Sequence, residues 1–350
     1  MKAVLWPYQY RDMRETWHRQ MCWIVAALRH HGVEVRRHAD FRCRGLEDVQ
    51  VYSPAADNPA DICIYNHTDW SVLTGNVLRA RANWFFKPTV PDEVHATLDM
   101  LGYGPYSSIG YWRPPFLRVG DEEVGRFFAN EVAGWIKSRV TKWGTEKLAG
   151  MRVPEDLQDY NLVLGQCAGD TVVTKMDFGD YVSRLYAVVR ELRRVDPDRQ
   201  TVVKLHPWMN GRDGEETPGF AEGVATRLGA LGARVFTGKS NVHAFIERAR
   251  VVLLANSGAG FEAMMHRKPI IAWGSPEYRW IAYDLRHLCD MRRALTLDWF
   301  KPACQDKFLC WYLAHYCFYD QESAVRRVGE LLSPLKEVCD DTRERAACSG

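Results

Sequence analysis

The chain has 350 residues, long for one hydrophobic core and comfortable for two domains, with the 47% apolar and 26% charged residues of a soluble globular protein. Its formal net charge of +2 is too small to gather nucleic acid by a global field. No apolar run reaches the ~20 residues that span a bilayer as a helix, so no integral membrane segment is expected.

The first residues, Met-Lys-Ala-Val-Leu-Trp-Pro, hold too short an apolar stretch for a signal peptide and read as a first strand over 2–6. Ten cysteines are scattered with no Cys-x-x-Cys pair, which reads as reduced thiols in a cytoplasm. A zinc site built from Cys304, Cys310, His315 and Cys317 is the alternative use of four of these side chains.

Residues 14–31 read as a helix, with Trp17, Met21, Ile24, Val25 and Leu28 at helical spacing. Strands are expected at Val33–Arg37 and Asp61–Tyr65. Residues 102–115, rich in Gly, Pro, Tyr and Ser, read as a long loop of the kind found at active sites. Residues 122–143 read as a helix burying Val124, Phe127, Phe128, Val132, Trp135 and Ile136.

A second run of alternating elements begins near Asn161. Strands are expected at 161–165, 201–205, 234–236, 251–255 and 269–273, with helices at 181–194, 220–231, 242–249 and 261–266. The pattern is α/β. It divides into an N-terminal domain over 1–155, a C-terminal domain over 156–332 and a charged tail over 333–350 that reads as a solvated or frayed end.

The Val-, Ile- and Leu-rich runs that end abruptly in polar or small residues read as strands of a buried parallel sheet, whose ligands bind beyond the carboxyl ends. In Asn256-Ser-Gly-Ala-Gly-Phe-Glu262 a strand passes through a small-residue turn into a helix. Its free N–H groups, Gly258 and Gly260, and the Ser257 hydroxyl suit a phosphate, and Glu262 suits ribose hydroxyls. The same residues also suit a plain capped turn.

In Lys204-Leu-His-Pro207 the alternation of a strand brings Lys204 and His206 to one face, two cationic or donor groups suited to a diphosphate or phosphodiester leaving group. A satisfied strand-end histidine is the other reading. In Gly165-Gln-Cys-Ala-Gly-Asp170, Asp170 suits a general base toward an acceptor hydroxyl or an N-cap, and Gln166 joins the donor-binding set.

Asn66-His-Thr-Asp69 ends the third N-terminal strand. His67 suits acceptor binding and Asp69 a second candidate base, or both are turn formers. Tyr106, Tyr111 and Trp112 suit stacking on a sugar or base, or a hydrophobic lid.

Four pieces together resemble the capsule-polysaccharide biosynthesis family, which includes bacterial β-Kdo glycosyltransferases. They are Leu162-Val-Leu-Gly-Gln-Cys-Ala-Gly-Asp170, Val203-Lys-Leu-His-Pro207, Asn256-Ser-Gly-Ala-Gly-Phe-Glu-Ala263 and Lys268-Pro-Ile-Ile-Ala-Trp-Gly274. Their order is also similar to the Asp, His-Pro and Ser motifs of GT-B sialyltransferases. The aromatic run of the Kdo transferases after the last glycine is replaced here by Gly274-Ser-Pro-Glu-Tyr-Arg-Trp280.

The resemblance implies a GT-B architecture, two Rossmann-like domains facing across a cleft. It also implies inverting, metal-independent transfer from a nucleotide-sugar. The donor is expected to be CMP- or UDP-linked, with no further cofactor. Carried over by position, Asp170 is the base, His206 and Ser257 hold the donor phosphate, and Glu262 the ribose.

The expected acceptor is a glycan hydroxyl. DNA carrying a hydroxymethylated pyrimidine is the alternative, because Arg79, Arg81, Lys87, Arg113 and Arg118 are interleaved with Trp84, Phe85, Tyr111 and Trp112. A nucleotide-sugar epimerase is the second alternative.

Overall fold

The computed structural model describes residues 1–6, 15–53, 60–66, 82–89, 94–141, 153–174, 179–207, 209, 219–238 and 240–347, with the side chains of 66, 171, 174 and 336–347 left aside. The elements begin with β1 (Lys2–Leu5), α1 (Glu15–His30), β2 (Glu34–Arg37), β3 (Ile62–Asn66), β4 (Ala82–Pro88), β5 (Ala96–Asp99), α2 (Ser108–Tyr111), α3 (Asp121–Phe127) and α4 (Ala133–Ser138). They continue with β6 (Tyr160–Leu164), α5 (Thr171–Thr174), α6 (Tyr181–Val195), β7 (Thr201–Lys204), α7 (Phe220–Ala230), β8 (Arg234–Phe236), α8 (Val242–Arg248), β9 (Ala249–Leu254) and α9 (Ala259–Met265). Last come β10 (Ile270–Ala272), β11 (Tyr283–Asp284), α10 (Met291–Ala294), α11 (Pro302–Trp311) and α12 (Gln321–Ala347).

The chain forms two compact units. The first comprises Met1–Thr89, Glu93–Ser108 and Tyr312–Gly350, the second Val90–Asp92 and Ile109–Trp311. Compactness therefore divides the chain near 108/109 and 311/312 rather than at 155/156.

The first unit holds a sheet in the order β2-β1-β3-β4-β5, parallel except for the β4–β5 pair. Helix α1 buries Met21, Ile24, Val25 and Leu28 on one stripe. They pack with Leu5, Ile64, Trp84 and Phe86 of the sheet and with Ala324, Val328, Leu331 and Leu332 of α12. So the segment beyond 333, expected as a frayed tail, continues the backbone of a helix that closes this core as far as Ala347.

Gly32, at φ +73°, ends α1 in the left-handed conformation open to glycine, and the Val33 N–H returns to Leu28 O at 2.9 Å. On the other face of the sheet the rings of His38, Trp6, Tyr65 and Phe85 stack in a row across four neighbouring strands.

Strands β4 and β5 were not expected. β4 turns Trp84 and Phe86 to the α1 face and Phe85 to the other, as strand alternation requires. β5 ends in Asp99, wholly buried, whose carboxylate accepts from the N–H groups of Leu101, Gly102 and Ser108, from the Ser108 hydroxyl and from Tyr316 Oη. Such a satisfied buried carboxylate pins the loop it faces. Part of that loop is helical, with a 3-10 turn at Gly104–Tyr106 followed by α2.

The second unit holds a fully parallel sheet in the order β11-β10-β9-β6-β7-β8. Its central strands are buried on both faces, which explains their continuous apolar runs. The helix expected over 122–143 is broken by a π-helical turn at Phe128–Val132. Val132 alone of the expected stripe is buried, and Val124, Phe127, Phe128, Trp135 and Ile136 are half-buried.

Asn241 caps α8 by accepting from His243 N at 3.0 Å. His243 Nε2 lies 2.7 Å from Val140 O, and its Nδ1 lies 2.8 Å from His266 Nε2. A carbonyl only accepts, so His243 carries its proton on Nε2 and His266 donates to Nδ1. Burial lowers both pKa values, that of His266 to about 4.

Candidate active site

The strand order of the second sheet reverses between β9 and β6. From β6 the chain proceeds to β7 and β8 on one side, and from β9 to β10 and β11 on the other. In such sheets this switch point, beyond the carboxyl ends, is where ligands bind. The turns after β6, β7, β9 and β10 meet there, and they carry the four motifs.

Asn256 is the clasp of these turns. Its N–H donates to Gln166 Oε1 at 2.6 Å, its Nδ2 donates to Val172 O at 2.8 Å, and its Oδ1 accepts from Ser275 N at 2.8 Å. Gly274 is glycine because a Cβ there would stand 2.5 Å from Asn256 Oδ1 and 2.9 Å from the Ala255 backbone. Gln166 is held in turn by its own N–H, which donates to Tyr181 Oη at 2.7 Å. Gln166 and Asn256 are both buried, so in this structure they support the site's backbone rather than line its surface.

Lys204 and His206 diverge. The Lys204 amine, 5% exposed, donates to Leu205 O at 2.7 Å and Gly238 O at 2.8 Å, tying the ends of β7 and β8. Burial pulls its pKa down to about 8. Two of its three protons are thus committed to the fold, and it does not share the work of His206 as the alternation suggested. His206 turns the other way, toward β6, where its Nδ1 lies 3.0 Å from Cys167 Sγ.

Asp170 is exposed, and its Oδ1 accepts from Val172 N at 3.2 Å at the start of α5. It is an N-cap whose remaining lone pairs face solvent. Ser257 Oγ accepts from Ala259 N at 3.2 Å and keeps its own proton to donate. The next N–H groups of the turn are engaged, Gly260 N with Ser257 O at 3.1 Å and Phe261 N with Gly258 O at 2.9 Å. Gly258 is exposed.

Gly260 is shaped by packing rather than by a phosphate, since a Cβ would stand 2.3 Å from Tyr278 Cζ. Tyr278 also packs edge-on to Phe261 and donates to Ser257 O. Helix α9 is buried from Gly260 to Met265, so Glu262, 3% exposed, does not present its carboxylate to a ribose at the surface.

Of the expected acceptor set, Tyr106 is half-buried in the first unit, while Tyr111 and Trp112 stand 58% and 62% exposed on the second. The base of their loop is held by Trp280 Nε1, which donates to Ile109 O at 2.7 Å. His67 and Asp69 lie outside the described residues, as do Arg79 and Arg81.

The basic and aromatic residues expected to face DNA are, where described, divided between the two units. Trp84 and Phe85 are buried in the first unit's sheet, and Lys87 lies over the Tyr103 ring, whereas Arg113 and Arg118 belong to the second unit. The alternative zinc set is not brought together either. Among the described residues no group of three or more His, Cys, Asp or Glu side chains is placed to hold a metal, and Cys310 and Cys317 are buried.

Residues 126–296 match the family described as capsule polysaccharide biosynthesis protein. The resemblance carried by the four motifs is borne out. The whole fold is similar to the β-Kdo 2,7 transferase of Thermosulfurimonas dismutans KpsC, at 13% identity and a TM-score of 0.52, covering 95% of this chain and 99% of that one. The β-Kdo 2,4 transferase of the same protein aligns at 14% identity with a TM-score of 0.47, over 90% and 91% of the two chains. No curated protein matches the chain by sequence. The architecture is that of the GT-B glycosyltransferases, with two Rossmann-like sheets.

The capsule-biosynthesis segment lies wholly within the second unit and contains Gln166, Asp170, Lys204, His206, Asn256, Ser257, Gly258, Gly260 and Glu262. Tyr106, Tyr111 and Trp112 fall before it. Sequence reasoning missed Tyr181 and Tyr278 as supports of the site. Tyr181 lies outside all four motifs, and Tyr278 lies just after the last one, in the run Gly274–Trp280 that departs from the family. The run supplies Tyr278 over Gly260 and Trp280 under the aromatic loop.

Proposed function

We propose that the chain is an inverting, metal-independent glycosyltransferase of capsule or surface-polysaccharide type. It transfers a sugar from a CMP- or UDP-linked nucleotide-sugar, its donor substrate and not a cofactor, to a glycan hydroxyl, and works in the cytoplasm. The observation that carries this reading is the convergence of Asp170, His206 and Ser257 on turns that follow three neighbouring parallel strands, β6, β7 and β9, at the switch point of the sheet.

Asp170, exposed and capped from one side only, accepts the acceptor proton as the hydroxyl attacks the anomeric carbon. Asp69 is the second candidate for that role. His206 and the Ser257 hydroxyl donate to the departing phosphate, whose charge grows in the transition state. The exposed rings of Tyr111 and Trp112 suit stacking on sugar faces. A DNA acceptor gains no support, since two of its expected stacking rings are buried.

The test measures nucleotide release from CMP- and UDP-sugars with and without glycan acceptors, in the presence of EDTA. Asp170→Asn is expected to bind nucleotide and lose turnover by about 10²–10⁴-fold. Near wild-type turnover in Asp170→Asn moves the base elsewhere, and loss of activity on chelation removes the metal-independent mechanism. Release without any acceptor favours the epimerase reading.

A further inference from the structure

We propose that Cys22 and Cys43 are a modification site, a dithiol that a peroxide closes to a disulfide bracing α1 against the turn after β2. Both lie in the first unit, outside residues 126–296, so the site stands whether or not the chain transfers sugars. Cys22 follows His18 by one helical turn on α1, which puts the two side chains on one face. Residues 43–45 lie against that face. Arg44 N donates to His18 Nδ1 at 2.9 Å, and Cys43 Sγ lies 3.4 Å from the same nitrogen. Gly45, at φ +86°, passes so close that a Cβ there would stand 3.2 Å from Cys22 Sγ.

The two sulfurs converge on one oxygen. The Arg44 carbonyl lies 3.5 Å from Cys22 Sγ and 3.6 Å from Cys43 Sγ. They are near enough that each shifts the titration of the other. The turn is also tied to both ends of α1, by Arg44 to Glu15 at 2.7 Å and by Arg29 to Asp48 at 3.0 Å. Both thiols are half-buried, so a small neutral oxidant can reach them.

Burial raises the Cys22 thiol above its usual value, the Cys43 S–H pulls it back, and the carboxylates of Glu47, Asp48 and Glu15 add to the rise. Cys43 is raised by burial and then by Cys22 itself. Cys22 is thus the sulfur that ionises first, with Cys43 as the donor beside it. Its thiolate attacks one oxygen of hydrogen peroxide, the O–O bond breaks and hydroxide leaves, giving a sulfenic acid. The Cys43 sulfur then attacks the Cys22 sulfur and the S–O bond breaks. The hydroxide released takes the Cys43 proton and departs as water, so two thiols are oxidised and one peroxide is reduced to two waters. Thiolates held this high form slowly and leave poorly, so the pair is slow to close and slow to be reduced.

Helix α1 carries the stripe that packs on the sheet and on α12. A bond from Cys22 to Cys43 closes a ring of chain that holds the rest of α1 and all of β2, and it removes freedom from the opened state. The experiment treats the full chain, purified with its thiols reduced, with hydrogen peroxide. Remaining thiols are blocked with N-ethylmaleimide and the peptides are mapped by mass. A joined Cys22–Cys43 peptide is expected, lighter by the two hydrogens lost and split by dithiothreitol. Amide hydrogen exchange across residues 22–43 is expected to slow about tenfold or more in the oxidised protein, to recover on reduction and to stay unchanged by peroxide in Cys22→Ser and Cys43→Ser.

Recovery of Cys22 and Cys43 as separate maleimide adducts, or as separate sulfinic or sulfonic acids, overturns the proposal without need of any variant. So does a bond from either to a different cysteine. Unchanged exchange across 22–43 in a chain shown to carry the bond overturns the bracing assigned to it.

Discussion

The N–H of Asn256 donates to the side-chain Oε1 of Gln166 at 2.6 Å, joining the ends of two adjacent strands whose residues lie 90 positions apart in the chain. Through its own amide Asn256 also holds Val172 O and Ser275 N, so one side chain ties three of the turns that meet at the switch point.

Asn256→Ala leaves the Val172 carbonyl and the Ser275 N–H without these partners. The expected loss is about 2 kcal/mol of unfolding free energy, because an orphaned buried polar group costs its full desolvation. Chemical denaturation measures it. A loss below about 0.5 kcal/mol, the scale of an ordinary surface substitution, would show that water replaces the clasp.

Gly260→Ala drives a methyl into the Tyr278 ring and is expected to destabilise by about 1–3 kcal/mol, as overpacking does. In a Tyr278→Ala background the same substitution should cost far less. A double-mutant cycle checks this, and additive effects would contradict the contact.

The buried pair His243 and His266 makes stability fall on acidification. Both folded pKa values lie below the usual histidine value, that of His266 at about 4, so between pH ~6.5 and ~4 the unfolded chain binds more protons than the folded one. Stability is full above that window and drops through it. Comparing urea midpoints of wild type and His266→Phe at pH 7 and pH 5 measures this, and an equal drop in both proteins would assign the loss to other groups.

Lys204 acts at the other end of the scale. Its folded pKa, about 8, lies below the unfolded value, so from pH 8 toward 10.5 the unfolded state holds a proton that the folded state has released. The contribution of this residue therefore rises with pH across that window, by at most about 3 kcal/mol. Lys204→Met removes the rise, seen as a smaller stability gain, or a larger loss, from pH 8 to pH 10 than in wild type.

The second unit was legible because its strands are buried on both faces and its helices are amphipathic, so apolar runs and helical spacing alternate plainly from Tyr160 to Ala272. β4 escaped notice because Trp84-Phe85-Phe86 is too short a run to show a period, and it reads equally well as an exposed aromatic cluster. The place of α12 is a long-range packing fact, invisible in a helix read alone.

Asp170, His206 and Ser257 could be placed at one edge of the sheet from sequence because each follows a strand, and strand ends share an edge. The directions of their neighbours were not readable. Whether Lys204 turns to Gly238 or stays beside His206 depends on how the β7 turn bends, and the burial of Glu262 with the rest of α9 from Gly260 to Met265 is a packing fact that the motif does not show.

The first compact unit is completed by residues from Tyr312 onward. On a ribosome, its sheet emerges before the second unit but waits for α12, made after that unit, which covers α1 and whose Arg327 side chain grips the Leu98 carbonyl. The intervening unit, continuous from Ile109 to Trp311, is free to fold while that happens. A stop codon or a protease cut shortly after 311 would therefore spare the half that bears the motifs and leave the amino-terminal half, more than 200 residues away in sequence, as the one that fails to form.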